Sequence, residues 1–343
     1  MGMDFGGISL NLDIETSDVQ NDSWLVSDDG TLRHCATGIL ISQLGLRDGP
    51  TAFLVDSADI EVDQLRQLGS GAGGIVALAR HKPTGQPLAV KMVRVEDKAK
   101  RSQLINDLHT LLRISRSSFL IQLYAAYVHK DTGCVHVALE YMDYGSLADV
   151  KQRVPLVPEN ILALIMMQIL EGLKILHLNF VIHRDVKLGN ILVNSKGSVK
   201  VTDFGISKKL GDEAVVCDTF VGTATHMSPE RMLGEDYSFA ADIWSLGLCV
   251  YELASGSYPY ARISSFPVLF DNLINKPEPR LDEKKFTEAL RDFVVKCLQK
   301  RPALRATTIQ LQAHSYILSN MFQVNQDMLV SWLEEKMGGP RLP

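Results

Sequence analysis

Three glycines, Gly69, Gly71 and Gly74, stand at the head of what reads as a strand rather than a helix, in Leu68-Gly69-Ser70-Gly71-Ala72-Gly73-Gly74-Ile75-Val76. Positions without side chains let backbone N–H groups come close to phosphate oxygens. A flexible turn is the plain alternative. The same G-x-G-x-x-G pattern also marks dinucleotide-binding folds, where it opens a helix and an acid follows about 20 residues later to hold a ribose. Here Val76, Leu78 and Arg80 continue an alternating strand, and the residue 22 positions after Gly69 is Lys91, inside Leu88-Ala89-Val90-Lys91. An ammonium in an apolar strand is costly unless paired, and a phosphate would supply the partner.

The surroundings read as strand-rich up to about residue 143 and mostly helical after it. Strands are expected at Gln64–Leu68, Gly74–Arg80, Pro87–Val93, Leu120–His129 and Cys134–Tyr141, with a turn at Lys82-Pro83-Thr84-Gly85. Residues 97–114 carry a helical period, and Asn160–Leu178 is apolar over so broad a face that a buried helix is expected. The first 60 residues hold ten acidic side chains against two basic ones, so this segment carries −8 and the remainder of the −5 chain carries +3. It is expected to be an extension, partly disordered, with one strand around Gly38–Ile41. A chain of net charge −5 is not built as a nucleic-acid binder. The longest apolar stretch, Ile161–Leu170, is too short to span a bilayer, and no secretory pattern opens the chain. Met1-Gly2 lacks the Ser or Thr expected at position 6 of a myristoylation signal. Five cysteines without a Cys-x-x-Cys pair suggest neither disulfides nor zinc, and a reducing, cytoplasmic setting is expected.

A second cluster is His183-Arg184-Asp185-Val186-Lys187-Leu188-Gly189-Asn190, followed by two short strands, Ile191–Val193 and Val199–Thr202, and then Asp203-Phe204-Gly205. This order puts Asp185, Asn190 and Asp203 on neighbouring loops. Two carboxylates and an amide are oxygen donors suited to Mg²⁺, which keeps waters and substrate phosphates as its other ligands. Singly each could be a turn former or a cap; the ordered set is far more specific.

Taken together these motifs resemble those of the eukaryotic protein kinases. Ser228-Pro229-Glu230, Asp242-Ile243-Trp244-Ser245-Leu246-Gly247 and Arg305 extend the match, which covers about Gln64 to Leu318. The resemblance implies an α+β, bilobal fold with a strand-rich lobe at 62–143 and a helical lobe at 144–318, between an acidic extension at 1–61 and a tail at 319–343. It implies phosphoryl transfer from ATP with Mg²⁺. Lys91 would hold the α- and β-phosphates, Asn190 and Asp203 the Mg²⁺, and Asp185 would accept the proton of the substrate hydroxyl while Lys187 neutralises the moving phosphate. Gly69, Ser70, Gly71, Ala72, Gly73 and Gly74 would cover the phosphates. Leu68, Val76, Ala89 and Leu192 would sandwich the adenine, with Leu139 as gatekeeper and Glu140 to Met142 as hinge. Glu230 and Arg305 would form a structural ion pair.

Within that family the chain is most similar to the MAP kinase kinases of plants and protists. The resemblance rests on Thr219-Phe220-Val221-Gly222-Thr223, Met227-Ser228-Pro229-Glu230-Arg231 and Glu140-Tyr141-Met142-Asp143-Tyr144-Gly145-Ser146-Leu147. It implies phosphorylation of Thr and Tyr in the Thr-x-Tyr motif of a downstream MAP kinase, and activation by an upstream MAP kinase kinase kinase. A Ser/Thr kinase of another sterile-type branch and a pseudokinase scaffold are the alternatives. Several residues depart from the family pattern. Asp107 stands where a helix Glu should pair with Lys91, and the alternative is a solvent-facing acid. Leu188 replaces a Pro, and His226 a Tyr. The second regulatory site maps onto Thr219, whose phosphate would pair with Arg184; the first falls on Glu213 or Val215, neither of which can be phosphorylated. Glu213 as a fixed charge competes with Glu213 as a solvated loop acid. Cys217 reads as an ordinary thiol. No basic docking cluster is visible near the N-terminus. Met328, Leu329, Trp332 and Leu333 have helical spacing, read as packing on the helical lobe.

Overall fold

Two apolar runs, at 75–79 and 87–93, joined by the turn Lys82-Pro83-Thr84-Gly85, make a hairpin. The computed structural model describes residues 24–27, 30–71, 74–95, 104–105, 107–112, 117–203, 225–260, 265–321 and 325–339. Ala72, Gly73, Phe204, Gly205, Glu213, Val215, Cys217 and Thr219 lie outside the described residues. The chain divides into two units, residues 1–113 with 122–141, and 114–121 with 142–342.

The first unit contains two antiparallel sheets. One has the order β6-β7-β8-β10-β9, from β6 (Ile60–Gly71), β7 (Gly74–His81), β8 (Gln86–Val93), β9 (Leu123–Val128) and β10 (Val135–Glu140). The turn expected between β7 and β8 is present: the Gly85 N–H donates to the His81 carbonyl at 2.8 Å, and Gly85 has φ 71°. Residues 107–112, within the expected helix, are helical. Leu88 and Val90 point to one face of the sheet, where they pack with Ile60, Ala79, Ala125, Tyr127 and Ala138. Ala89 and Lys91 therefore belong to the other face.

The second sheet corrects the reading of the acidic segment. Instead of one strand around Gly38–Ile41, residues 24–54 form a five-stranded meander: β1 (Trp24–Val26), β2 (Leu32–His34), β3 (Leu40–Ser42), β4 (Gly45–Asp48) and β5 (Thr51–Leu54). Strands of three or four residues are too short to show a period of two. Part of their apolar content is nonetheless spent inward: Ile39, Ile41 and Leu46 are fully buried, whereas Leu25, Leu44 and Leu54 are exposed. The tight connection between β3 and β4 needs Gly45, whose φ is 116° and where a Cβ would lie 2.3 Å from the Phe53 carbonyl oxygen. Strands β3, β4 and β5 pack against β9.

Near this junction the buried His136 ring stacks on His129, with centroids 4.6 Å apart, and meets Tyr127 edge-on. Burial, and then the neighbouring His129, push the His136 pKa down from 6.5 to about 4. The unfolded chain takes up this proton near pH 6.5, and the folded chain refuses it until about pH 4. The stability held above pH 6.5 should therefore fall as pH drops through that window, by up to about 3 kcal/mol. Urea unfolding midpoints against pH test this: His136→Phe should flatten the slope between pH 6.5 and 4, and an unchanged slope would refute the assignment.

The second unit is helical around a small sheet of β11 (Gly145–Ser146), β12 (Ile191–Val193) and β13 (Val199–Val201). Leu120 and Ile121, expected to begin β9, instead turn to β13: Leu120 bridges Val201, and the Ile121 N–H donates to the Val201 carbonyl at 3.0 Å. The first helix, α1 (Leu147–Arg153), is started by a capping box between Ser146 and Asp149. The buried helix expected at Asn160–Leu178 is α2 (Glu159–Leu178). Among the described residues it alone is long and apolar enough to cross a membrane, and it is a core helix with most of its length buried in the unit. There follow α3 (Pro229–Met232), α4 (Ala240–Ser255), α5 (Phe266–Ile274), α6 (Glu288–Cys297), α7 (Thr308–Gln312), α8 (Ser315–Met321) and α9 (Gln326–Met337). Trp244 of α4 is fully buried. In α9, Leu329, Trp332 and Leu333 are buried, whereas Met328 is 40% exposed, so three of the four spaced residues face the unit. The four cysteines among the described residues, Cys35, Cys134, Cys249 and Cys297, are all free thiols.

Candidate active site

In the first unit, strand register places the expected nucleotide-contacting residues. Val76 and Val137 flank Lys91 on β8, and Leu78 and Leu139 flank Ala89. Directly opposed residues share a face, so Val76, Ala89, Lys91 and Leu139 lie together on the face away from the packed Leu88–Val90 cluster. The glycine segment is the tip of the β6–β7 hairpin, where Gly69 pairs with Val76, Ser70 with Ile75 and Gly71 with Gly74. Gly74 has φ 119°, and a Cβ there would sit 2.2 Å from the Met92 carbonyl oxygen, so no other residue fits. Leu68 is half-buried on β6 and Glu140 ends β10, where a carboxylate oxygen accepts from the Gln122 N–H at 3.4 Å. Asp107 is half-buried on the helical stretch.

In the second unit the sequence His183–Asn190 folds into a loop held from inside. Asp242, at the start of α4, accepts the His183 N–H on Oδ2 and the Arg184 N–H on Oδ1, each at 2.9 Å, and the His177 ring Nε2 lies 2.9 Å from Oδ2. Burial alone would raise the Asp242 pKa, but His177 and the loop N–H groups hold it below the usual carboxylate range. That anchorage supports a left-handed Arg184, φ 70°, a conformation a non-glycine residue keeps only when its surroundings enforce it. Asp203 is left-handed too, φ 56°. The buried His183 takes the Asp185 N–H on Nδ1 at 3.2 Å, so Nε2 carries the proton and donates it to the Thr202 carbonyl at 2.9 Å.

The loop thereby presents a connected polar group. Lys187 Nζ lies 2.6 Å from Asp185 Oδ2, and the Asn190 amide nitrogen donates to both the Asp185 carbonyl and Oδ2, each at 2.8 Å. Because Nδ2 makes both bonds, the Asn190 amide is oriented and its Oδ1 is the atom left for a cation. Asp203, the other expected Mg²⁺ ligand, follows Thr202, whose N–H donates to the Asn190 carbonyl at 3.0 Å, and an amide oxygen with a carboxylate is a donor chemistry that suits Mg²⁺. Leu192 is in β12, opposite Ser146 and Lys200, and Met142 is buried just before β11.

Glu230 and Arg305 meet in a two-pronged ion pair, Nη1–Oε1 and Nη2–Oε2 both 2.6 Å, with side chains 2% and 0% exposed. The remaining guanidinium contacts go to the carbonyls of Gln299, Ala240 and Lys300, and the group lies over the Trp244 ring. The Arg231 guanidinium donates to the Arg184 carbonyl, and both arginines lie over the Tyr237 ring. Sequence reasoning gave Asp242 no role at the site; its position before Ile243-Trp244 was the available signal.

A family model described as a protein kinase domain matches residues 62–317. Mitogen-activated protein kinase kinase 2 of Arabidopsis thaliana is 39% identical over 266 residues, which cover 75% of this chain and 72% of that one. The chain is a protein kinase of the MAP kinase kinase family. A Drosophila melanogaster dual specificity mitogen-activated protein kinase kinase is 38% identical over 287 residues, 76% of this chain and 71% of the relative. Mitogen-activated protein kinase kinase 3 of Arabidopsis thaliana is 36% identical over 310 residues, 87% of this chain; the chain spans 60% of its length. The α+β kinase class expected from the motifs is the class found, and ATP with Mg²⁺ is the general requirement of this family.

Proposed function

We propose that this MAP kinase kinase phosphorylates the Thr and the Tyr of a Thr-x-Tyr motif in a downstream MAP kinase, and that phosphorylation of Thr219 by an upstream kinase switches it on. The observation that carries the chemistry is the Asp185–Lys187–Asn190 group, joined at 2.6–2.8 Å on a loop anchored by Asp242. Asp185 accepts the proton of the acceptor hydroxyl, and its Oδ2 is aimed by the Asn190 amide. Lys187 places a positive charge where negative charge moves between donor and acceptor. Lys91 holds the donor phosphates, and Val76, Ala89, Leu139, Leu68, Leu192 and Met142 hold the base. Mg²⁺, when bound through Asn190 and Asp203, neutralises phosphate charge. Arg184 pairs with the Thr219 phosphate, and Asp107 pairs with Lys91. The printed name of the Drosophila relative, dual specificity, supports a two-residue acceptor motif.

The test uses the chain with and without phosphate on Thr219, Mg-ATP, and a catalytically dead MAP kinase, with Asp185→Asn as control and phosphosites mapped by mass spectrometry. Phosphate on both Thr and Tyr, dependent on Thr219 phosphorylation and absent in the control, is the expected result. Transfer only to other proteins would remove the proposed substrate. No transfer in either state would mean the chain acts as a scaffold.

A further inference from the structure

Within the second unit a pocket of about 380 Å³ opens beside Lys187, walled by Ala148 and Lys151 of α1, by Leu188 of the catalytic loop, and by His226 and Glu252. Since Lys187 Nζ is 2.6 Å from Asp185, a residue flanking the acceptor hydroxyl is the natural occupant. Among the described residues on the wall the one carboxylate is Glu252 of α4, and an ammonium already sits on it. Lys151 Nζ lies 2.5 Å from Oε1, and His226 Nε2 lies 3.6 Å from Oε2. Burial by itself would raise the Glu252 pKa; His226 and Lys151 override it and keep the group ionised.

We propose that Lys151 is a specificity-determining residue: its ammonium fills the place at Glu252 that a substrate Lys or Arg would take, and so reserves the pocket for an uncharged or acidic side chain next to the acceptor. The inference rests on the reading of the chain as an enzyme that phosphorylates proteins, not on which protein it phosphorylates. A carboxylate on a pocket wall with no internal partner attracts cations, because it gains a charge-assisted bond at little further desolvation cost. Here an incoming cation meets the Lys151 and Lys187 ammoniums first, and like-charge juxtaposition is how binding sites reject wrong partners. The wall is rigid enough to discriminate. The Ser146–Asp149 capping box fixes α1 one turn from Lys151. The Ser245 hydroxyl donates to the His226 carbonyl at 2.7 Å, the Tyr258 hydroxyl donates to the Thr225 carbonyl, and Thr225 Oγ1 and His226 Nδ1 are 3.1 Å apart. Lys151 and Glu252 have side chains 22% and 14% exposed, so the pair is only partly screened by water.

The experiment treats a dephosphorylated native protein extract, and in parallel a folded, catalytically dead MAP kinase substituted with Lys, Arg, Glu or Ala at the residues flanking its Thr-x-Tyr acceptors, with the activated full-length chain and Mg-ATP, and maps every new phosphosite by mass spectrometry. Wild type, Lys151→Arg, Lys151→Met and Lys151→Met/Glu252→Gln are compared. Sites made by the wild type and by Lys151→Arg should be poor in Lys and Arg at one flanking position. Lys151→Met should enrich Lys and Arg at that same position by about tenfold, and the double variant should lose the enrichment. A Lys151→Met profile equal to the wild type, or enrichment that survives in the double variant, would overturn the assignment. An absence of sites with the wild type would strike the reading of the chain as a transferase, and the pocket inference would fall with it.

Discussion

Asp242→Asn should lower kcat about a hundredfold while leaving nucleotide binding close to that of the wild type. The carboxylate has two oxygens, and each accepts a backbone N–H of the loop that carries Asp185, from His183 and Arg184. A carboxamide has one oxygen. Its NH₂ must then face one of these N–H groups, and leaving a buried donor unpaired costs about 1–3 kcal/mol. The loop can relieve this only by moving. Arg184 is the residue with least freedom, since its φ of 70° persists because the surroundings impose it. A shift there displaces Asp185, the next residue, and misplacement by about 1 Å costs on the order of a hundredfold in rate. Lys91, on a strand of the other unit, keeps its register in β8 whatever happens at Asp242. Steady-state kinetics with a binding measurement for a nucleotide analogue separate the two effects. Hydrogen exchange at the amides of residues 183 and 184 should rise in the variant. Unchanged kcat, or a loss confined to nucleotide affinity, would show that the anchorage does not control the base.

The anchorage also shows what a linear reading of this chain can reach. The glycine hairpin was legible because its glycines precede an apolar strand rather than a helix, and Lys91 because an ammonium stood between Leu88-Ala89-Val90 and Met92-Val93. Asp185, Lys187 and Asn190 were legible because they lie within six residues of one another. The role of Asp242 was not, because its partners are 58 and 59 residues away in sequence and only its place in a family motif marked it. The Lys151–Glu252 pair spans 101 residues and leaves no local trace. The meander at 24–54 was hidden for another reason: five strands of three or four residues, joined by short connections, offer no window long enough for a period. Its existence depends on long-range burial of Ile39, Ile41 and Leu46, which composition averaged over 60 residues conceals.

Arg305→Ala should be the most destabilising single change, by about 3–5 kcal/mol, the cost of stranding a buried charge. Glu230 is 2% exposed, and both of its oxygens are bound by the Arg305 fork at 2.6 Å. Without that fork only the smaller contributions of the Ser228 hydroxyl and a backbone N–H remain to offset the desolvation of the carboxylate. The guanidinium also closes the carbonyls of Gln299, Ala240 and Lys300, so its removal leaves three further acceptors short of a donor. Arg305→Lys should recover little, because one ammonium cannot serve two oxygens in a plane and three carbonyls as well. Acidification should act on the same pair. Burial would raise the Glu230 pKa, but Arg305 dominates and lowers it from 4.5. The contribution is therefore complete above pH 4.5, where the unfolded carboxylate is ionised, and is lost as pH falls through the lower folded value. Replacing both residues by methionine removes the stranded charge, so Glu230→Met/Arg305→Met should be more stable than Arg305→Ala and should lack this acid-side loss. Chemical denaturation of the three variants from pH 7 to pH 3 tests the account. If Arg305→Ala cost under 1 kcal/mol, or the double variant were the less stable of the two, the pair would not be what holds Pro229–Met232 to the region around Arg305.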